Sequence, residues 1–208
     1  MFWIEKFRPS SLDEVQGQER VTEILSMFAK GKNLPHLLIS GPQGTGKTVS
    51  VEAALRELYG ETWTDNVTIF HTADLMEQGR SYLETDETFV HLYKPDESFL
   101  SNLKRAINTY ASIRPINAEF KVLWFEDAHT LSHDVQHALR RTMERYSATC
   151  RFVFCTTHAS SVIPPSVHDV SPCSSPRSHG TRSRAGLYPS LIHWRSGMWS
   201  ARMNSVCW

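Results

Sequence analysis

The stretch Gly41-Pro42-Gln43-Gly44-Thr45-Gly46-Lys47-Thr48 sets glycines, a lysine and a hydroxyl at the spacing of a phosphate-binding loop. Glycines let main-chain N–H groups turn inward around a polyphosphate, and a helix starting at the lysine adds the positive end of its dipole. Lys47 would neutralise the terminal phosphates, and Thr48 would offer its hydroxyl to Mg2+. Further along, Val122-Leu123-Trp124-Phe125-Glu126-Asp127 is an apolar run that ends in two carboxylates. Ligands of open α/β sheets sit at such strand ends. There Glu126 would hold the metal and Asp127 would orient an attacking water. Thr156 and Thr157 close another apolar run, and a hydroxyl there would touch the γ-phosphate or that water. Taken singly, these are a Gly-rich turn, a solvated acidic strand end and two strand threonines; the loop makes them one set.

The elements that must position these groups follow from periodicity. Val21, Ile24, Leu25 and Phe28 recur at helical spacing before Gly31, and Leu34 to Ser40 reads as a buried strand leading into the loop. After the loop comes a helix with Val51, Ala54, Leu55 and Leu58 inward, closed by Gly60. Val67 to His71 is a second strand. Leu75 to Ser98, polar and acidic with scattered aromatics, is expected to be a long surface excursion. Leu100, Leu103, Ile107 and Tyr110 mark a helix that stops before Pro115. Lys121 to Phe125 is a third strand, and Ser132 caps a helix carrying Val135, Ala138, Leu139, Met143 and Tyr146 on one face. Arg151 to Thr157 is a fourth strand. Short apolar runs alternating with helical patterns predict an α/β fold, a parallel sheet flanked by helices.

Composition bounds the rest. The 208 residues are 40% hydrophobic and 21% charged, with a mean hydropathy of −0.35, and no apolar run approaches a membrane helix. Met1 is followed by Phe, Trp, Ile and Glu, so no secretory leader is expected and the chain reads as intracellular. Cys150, Cys155, Cys173 and Cys207 contain no Cys-x-x-Cys pair and suit neither a disulfide framework nor a zinc ribbon. His129, His133 and His137 recur every four residues, yet no carboxylate completes a metal site and a solvated helix face is the simpler reading. The net charge of zero hides a break: residues 1–165 hold 17 Lys and Arg against 21 Asp and Glu, a net of −4. Residues 166–208 hold five Arg, no Lys, one acid, ten Ser and three of the six Trp, and they lack helical or strand periodicity. The division expected is therefore a nucleotide-binding domain over 1–165 and a basic, disordered tail over 166–208.

Over residues 3–165 these segments, in this order, resemble AAA+ ATPases, and more closely the small subunits of the archaeal and eukaryotic sliding-clamp loader, replication factor C. The likeness rests on Trp3-Ile4-Glu5-Lys6-Phe7-Arg8-Pro9, on Leu12-Asp13-Glu14-Val15 with Gly17-Gln18, and on Leu34-Pro35-His36-Leu37-Leu38 before the loop. Gln136-His137-Ala138-Leu139-Arg140-Arg141-Thr142-Met143-Glu144 and Arg151-Phe152-Val153-Phe154 extend it. The resemblance implies ATP and Mg2+ as ligands, an opening segment whose Arg8, Pro9, Val15 and Gln16 embrace the adenine, and ATP-driven loading of a sliding clamp onto primed DNA. Its partners would be the other large and small clamp-loader subunits, the clamp and primer-template DNA, with Arg140 and Arg141 either meeting phosphates or a neighbour's nucleotide or simply solvated, since residues 1–165 carry no basic patch of their own. It implies the cytoplasm, or the nucleus in a eukaryote. An ATP-binding ring subunit with little hydrolysis is the alternative; the opening segment and the Arg140-Arg141 helix argue against a small-molecule phosphotransferase.

The chain also departs from that family. The acidic pair runs Glu126 then Asp127 rather than Asp then Glu, Thr157 stands where Asn is frequent, and the Leu75–Ser98 excursion is long. After Pro165 the Ser-Arg-Cys segment with its arginine finger, the fifth strand, the lid and the collar are not legible, so an open edge beside the first strand is expected. The genetic code lets Pro165 to Pro172 be written so that a one-base shift yields Ile-Arg-Ser-Arg-Cys-Phe-Pro. A frameshift within the Pro165 codon, and a non-functional fragment, would account for that tail.

Overall fold

The computed structural model describes residues 7–162 and 190–193. Its regular elements, in chain order, are α1 (Glu19–Lys30), β1 (Leu37–Ser40), α2 (Lys47–Tyr59), α3 (Trp63–Asn66), β2 (Val67–His71), α4 (Thr72–Gln78), α5 (Arg80–Thr85), α6 (Phe99–Ser112), β3 (Lys121–Glu126), α7 (His133–Tyr146), β4 (Cys150–Thr156) and β5 (Ser190–His193). The strands form one parallel sheet in the order β2-β3-β4-β1-β5.

Period-two alternation along the strands sends apolar side chains to both faces, which a parallel sheet must cover with helices. Leu37, Ile39, Val122, Trp124, Val153 and Cys155 pack with Val21 and Leu25 of α1 and Val51 and Leu55 of α2. Leu38, Phe70, Leu123, Phe125, Phe152 and Phe154 pack with Leu103 and Ile107 of α6 and Val135, Leu139 and Met143 of α7. Helix ends follow sequence chemistry. Gly31 and Gly60 follow α1 and α2, and the Ser98 hydroxyl accepts from the Ser101 amide at 3.2 Å to cap α6. Ser132 precedes α7 as the N-cap residue but makes no side-chain capping bond.

The stretch from Leu75 to Ser98 is not the surface excursion its composition suggests. It folds into the rest of α4, α5 and a 3-10 turn over Val90–Leu92, with Leu75, Leu83 and Phe89 at 1% exposure or less. Phe89 stacks on Phe70 at 4.8 Å, Phe70 on Phe125 at 4.8 Å, and Tyr110 meets Phe89 edge-on at 5.7 Å. Asn102, itself buried, clamps the return of the chain: its amide donates to the Lys94 carbonyl at 2.9 Å and its carbonyl accepts from the Lys94 amide at 2.8 Å. Each short helix inserts only one or two apolar residues, so no amphipathic period builds up for a sequence window to detect.

The far edge of β1 is likewise not open. Ser190–His193 pairs along it in parallel, from Leu37 opposite Ser190 to Ser40 opposite His193. β1 is buried along its whole length, and a buried strand needs partners for its main-chain groups on both edges. Four extended residues are too few to announce themselves by periodicity. Trp3–Lys6 of the opening segment, the remainder of the 166–208 tail, the Pro165 frameshift reading, Cys173 and Cys207 lie outside the described residues.

His36, just before β1, accepts a hydrogen bond from the Phe152 amide at its Nδ1 (3.1 Å) and meets the Phe152 ring edge-on at 5.5 Å. Burial, and then the Arg151 guanidinium, depress its pKa from the usual 6.5 to about 4. The folded chain thus keeps this imidazole neutral while the unfolded chain protonates it, so its stabilising contribution is present above pH 6.5 and is lost as pH falls toward 4. His36→Asn retains an acceptor and removes the titration; chemical denaturation at stepped pH should show a flatter stability profile between those limits in the variant. Phe89→Ala should cost about 3–5 kcal/mol in the same assay, where a surface position would cost under about 0.5 kcal/mol.

Candidate nucleotide site

The loop between β1 and α2 is held open by its backbone. The Gly41 amide donates to the Thr156 carbonyl at 3.2 Å, extending the β1–β4 ladder by one residue. Gly44 and Gly46 then take φ of +77° and +87°, left-handed values that only glycine adopts at little cost. A Cβ built on Gly44 meets nothing within 4 Å, so glycine is required there by the turn of the chain and not by crowding. The Thr45 hydroxyl bonds back to the Pro42 carbonyl at 2.8 Å. Helix α2 makes its first bond from the Ser50 amide to the Gly46 carbonyl (3.0 Å), leaving the amides of Lys47, Thr48 and Val49 at its positive end ahead of the ladder.

Lys47 folds back across this loop. Its ammonium donates to the Gly41 and Pro42 carbonyls at 2.9 and 2.8 Å, and the residue is 9% exposed. Burial lowers its pKa, against the opposing pull of Cys155 and Asp127. Strand β3 delivers Glu126 at its end, where the carboxylate pairs with His71 Nδ1 at 2.9 Å and lies near enough to the Thr48 hydroxyl to feel it. Burial works to raise the Glu126 pKa, but the bond from His71, the nearby Thr48 hydroxyl and the positive fields of His71 and Arg8 outweigh it and hold the carboxyl below its ordinary value. Asp127 adopts φ +50°, uncommon for a non-glycine residue, and its carbonyl accepts from the Thr130 amide (2.9 Å) and hydroxyl (3.0 Å) to anchor a short 3-10 turn.

The β3–β4 register, with Phe125 opposite Phe154, brings Thr156 and Thr157 to the same edge of the sheet as the two acids. Thr156 is fully buried and committed to its own turn, exchanging hydrogen bonds with the His158 main chain at 3.1 Å. Thr157 Oγ1 lies 2.8 Å from His158 Nδ1 and 3.4 Å from His129 Nδ1. In the opening segment Arg8 reaches α2, pairing with Glu52 at 2.5 Å, and Glu52 also holds Arg56 at 2.6 Å. Pro9 and Val15 are half-buried and Gln16 is exposed.

Among the sequence-derived residues, the loop, Lys47, Thr48 and Glu126 converge, with Asp127 and Arg8 near enough to shift the charges among them. His71 and Glu52 were missed. A sign of His71 existed: β2 and β3 both end in polar residues, and two neighbouring parallel strands of similar reach set such ends side by side. Of the histidine series, His129 lies in the 3-10 turn before α7, and His133 and His137 lie on α7; among the described residues no three or more His, Cys, Asp or Glu gather at one point. The oxygen-only set of Thr48, Glu126 and Asp127 suits a hard cation such as Mg2+, and the inward amides with Lys47 suit a polyphosphate.

A parallel sheet with a glycine loop opening a helix, and carboxylates at the end of a strand beyond a single intervening strand, defines a P-loop nucleotide-binding fold. The model of the ATPase family associated with various cellular activities (AAA) matches residues 37–173, and the chain belongs to that family. It is 40% identical over 164 residues to the Replication factor C small subunit of Methanocella arvoryzae, covering 78% of this chain and 44% of that one. The Archaeoglobus fulgidus Replication factor C small subunit is 39% identical over 164 residues, with the same coverage of 78% and 44%. The chain thus spans less than half the length of the curated relatives it matches. Among solved structures, a mutant of Thermotoga maritima RuvB superposes with a TM-score of 0.51 at 23% identity over 77% of this chain and 45% of that one. PCH-2 of C. elegans gives 0.50 at 14% identity over 75% and 43%; both share the fold. No helix among the described residues is long and apolar enough to cross a membrane.

Gly44→Ala should destabilise the fold by about 1–2 kcal/mol through its left-handed backbone alone, since the added methyl meets open space. Denaturant unfolding checks this.

Proposed function

We propose that this chain binds ATP with Mg2+ and acts as a small-subunit component of a sliding-clamp loader, working with other large and small subunits, the clamp and primer-template DNA. The observation that supports the nucleotide reading is the buried Lys47 ammonium folded back onto the Gly41 and Pro42 carbonyls, with Thr48 next to it in the chain and near enough to the Glu126 carboxylate to lower its pKa. The clamp-loader reading draws on the Replication factor C small subunits to which the chain is similar. The ammonium of Lys47 would exchange its carbonyl partners for phosphate oxygens, while the amides at the head of α2 receive the remaining charge. Thr48 and Glu126 would hold Mg2+, which neutralises charge on the phosphates when bound. Asp127 would orient the attacking water, Thr157 would steady it or the γ-phosphate, and Arg8, Pro9, Val15 and Gln16 would flank the base. Arg140 and Arg141 line a groove between α6 and α7 with Lys104 and Arg145, but Asp134 and Glu144 share it, so DNA contact rests on the relatives and not on a basic surface.

A second reading, an ATP-binding ring subunit with little turnover, is favoured by the acidic order. Asp127 is one methylene shorter than the glutamate of the family pattern, and misplacement of about 1 Å can cost about 100-fold in rate. One experiment separates the two. With the clamp and primed DNA present, calorimetry and phosphate release are followed for the full chain, Lys47→Ala and Asp127→Asn. Lys47→Ala should weaken ATP binding roughly 10- to 100-fold, as expected for losing a charge-assisted bond. Asp127→Asn should bind within about twofold yet lose about 100-fold or more of turnover. Binding by the full chain with turnover no higher than that of Asp127→Asn selects the second reading, and a full chain that ignores Mg-ATP rejects both.

A further inference from the structure

We propose that His71 is a positioning residue for Glu126, holding the longer carboxylate at the place where a magnesium ion shared with Thr48 would sit. This inference rests on the nucleotide-site reading. Glutamate has one more rotatable bond than the aspartate of the family pattern, so an unsupported Glu126 would spread its carboxylate over more positions and lose more freedom on binding a cation. The end of β2 removes that freedom twice over. In the parallel β2–β3 pair His71 stands directly opposite Glu126, and its Nδ1–H donates to Glu126 Oε2 at 2.9 Å. The next residue, Thr72, is fully buried and donates its hydroxyl to the Glu126 main-chain carbonyl, while the Thr130 hydroxyl braces Thr72 at 3.0 Å. One strand end therefore fixes both the backbone and the side chain of the carboxylate.

The Glu126 side chain is 17% exposed against 52% for His71, so the imidazole screens one side of the carboxylate, with the Thr48 hydroxyl nearby at the start of α2. Groups that hydrogen-bond metal-ligating carboxylates in this way orient them, and their loss typically costs 10- to 100-fold in metal affinity.

The test compares the full chain with His71→Ala and His71→Asn, whose side-chain amide nitrogen reaches where Nδ1 does. ATP affinity is measured in EDTA, and the Mg2+ concentration giving half-maximal tightening of ATP binding is then titrated. His71→Ala should keep its metal-free ATP affinity within about twofold while its Mg2+ midpoint rises roughly tenfold or more, and His71→Asn should restore most of the difference. A midpoint unchanged in His71→Ala, or equally raised in both variants, overturns the role. Loss of metal-free binding in His71→Ala also overturns it, by making His71 a support of the fold and not of the carboxylate. A full chain that binds ATP under neither condition removes the nucleotide site itself, a result distinct from these.

Discussion

Thr48 and the Glu126 carboxylate come near each other because β1 and β3, which are not neighbours, are each paired in parallel with β4 and end at nearly the same level. Ser40 lies opposite Thr156 and Phe125 opposite Phe154, so the loop after β1 and the acids after β3 open on one edge of the sheet, two strand spacings or about 10 Å apart. The glycine turn and the start of α2 close that gap. A slip of one residue in either pairing would turn every strand side chain to the opposite face and carry the acids away from the loop. The aromatic and aliphatic packing on both faces, from Leu37 and Trp124 on one side to Phe70 and Phe154 on the other, makes such a slip costly.

That register lets opposite charges share a half-buried edge. Lys47 is taken from water but given two carbonyls, and Glu126 is taken from water but given His71 and Thr48. Burial pushes both groups toward their neutral forms; the partners of the carboxylate outweigh that push, and those of the ammonium leave it hydrogen-bonded. Asp127, by contrast, projects from a strained backbone into an exposed position, held by the turn that its own carbonyl anchors. Next to each other in sequence, the two acids thus differ in environment, which is the physical basis for the proposal that one holds a cation and the other a water.

Much of this is legible without coordinates. Val67 to His71 forms β2 with the bounds its apolar run suggests, β3 runs one residue further, β4 is shifted back by one residue at both ends, β1 starts three residues later than its apolar run, and Gly31 and Gly60 follow their helices. The loop and the acid pair carry their meaning in residue type and spacing, so they could be located by inspection. The packing of Leu75, Leu83 and Phe89 could not, because elements of six or seven residues bury too few side chains to show a period. Nor could β5, whose four residues belong to the sheet only through the edge that β1 presents to them.

Order along the chain determined by itself that a glycine loop opens a helix, that two carboxylates end a buried strand, and that helices alternate with strands, because each of these depends on neighbours within a few residues. Which strand adjoins which, that His71 of one strand would grip Glu126 of the next, and that Arg8 would cross to Glu52 were decided only by tertiary structure. Those contacts join residues 44 and 55 positions apart, and their geometry is set by the pairing of strands and the packing of helices on them, which no local pattern encodes.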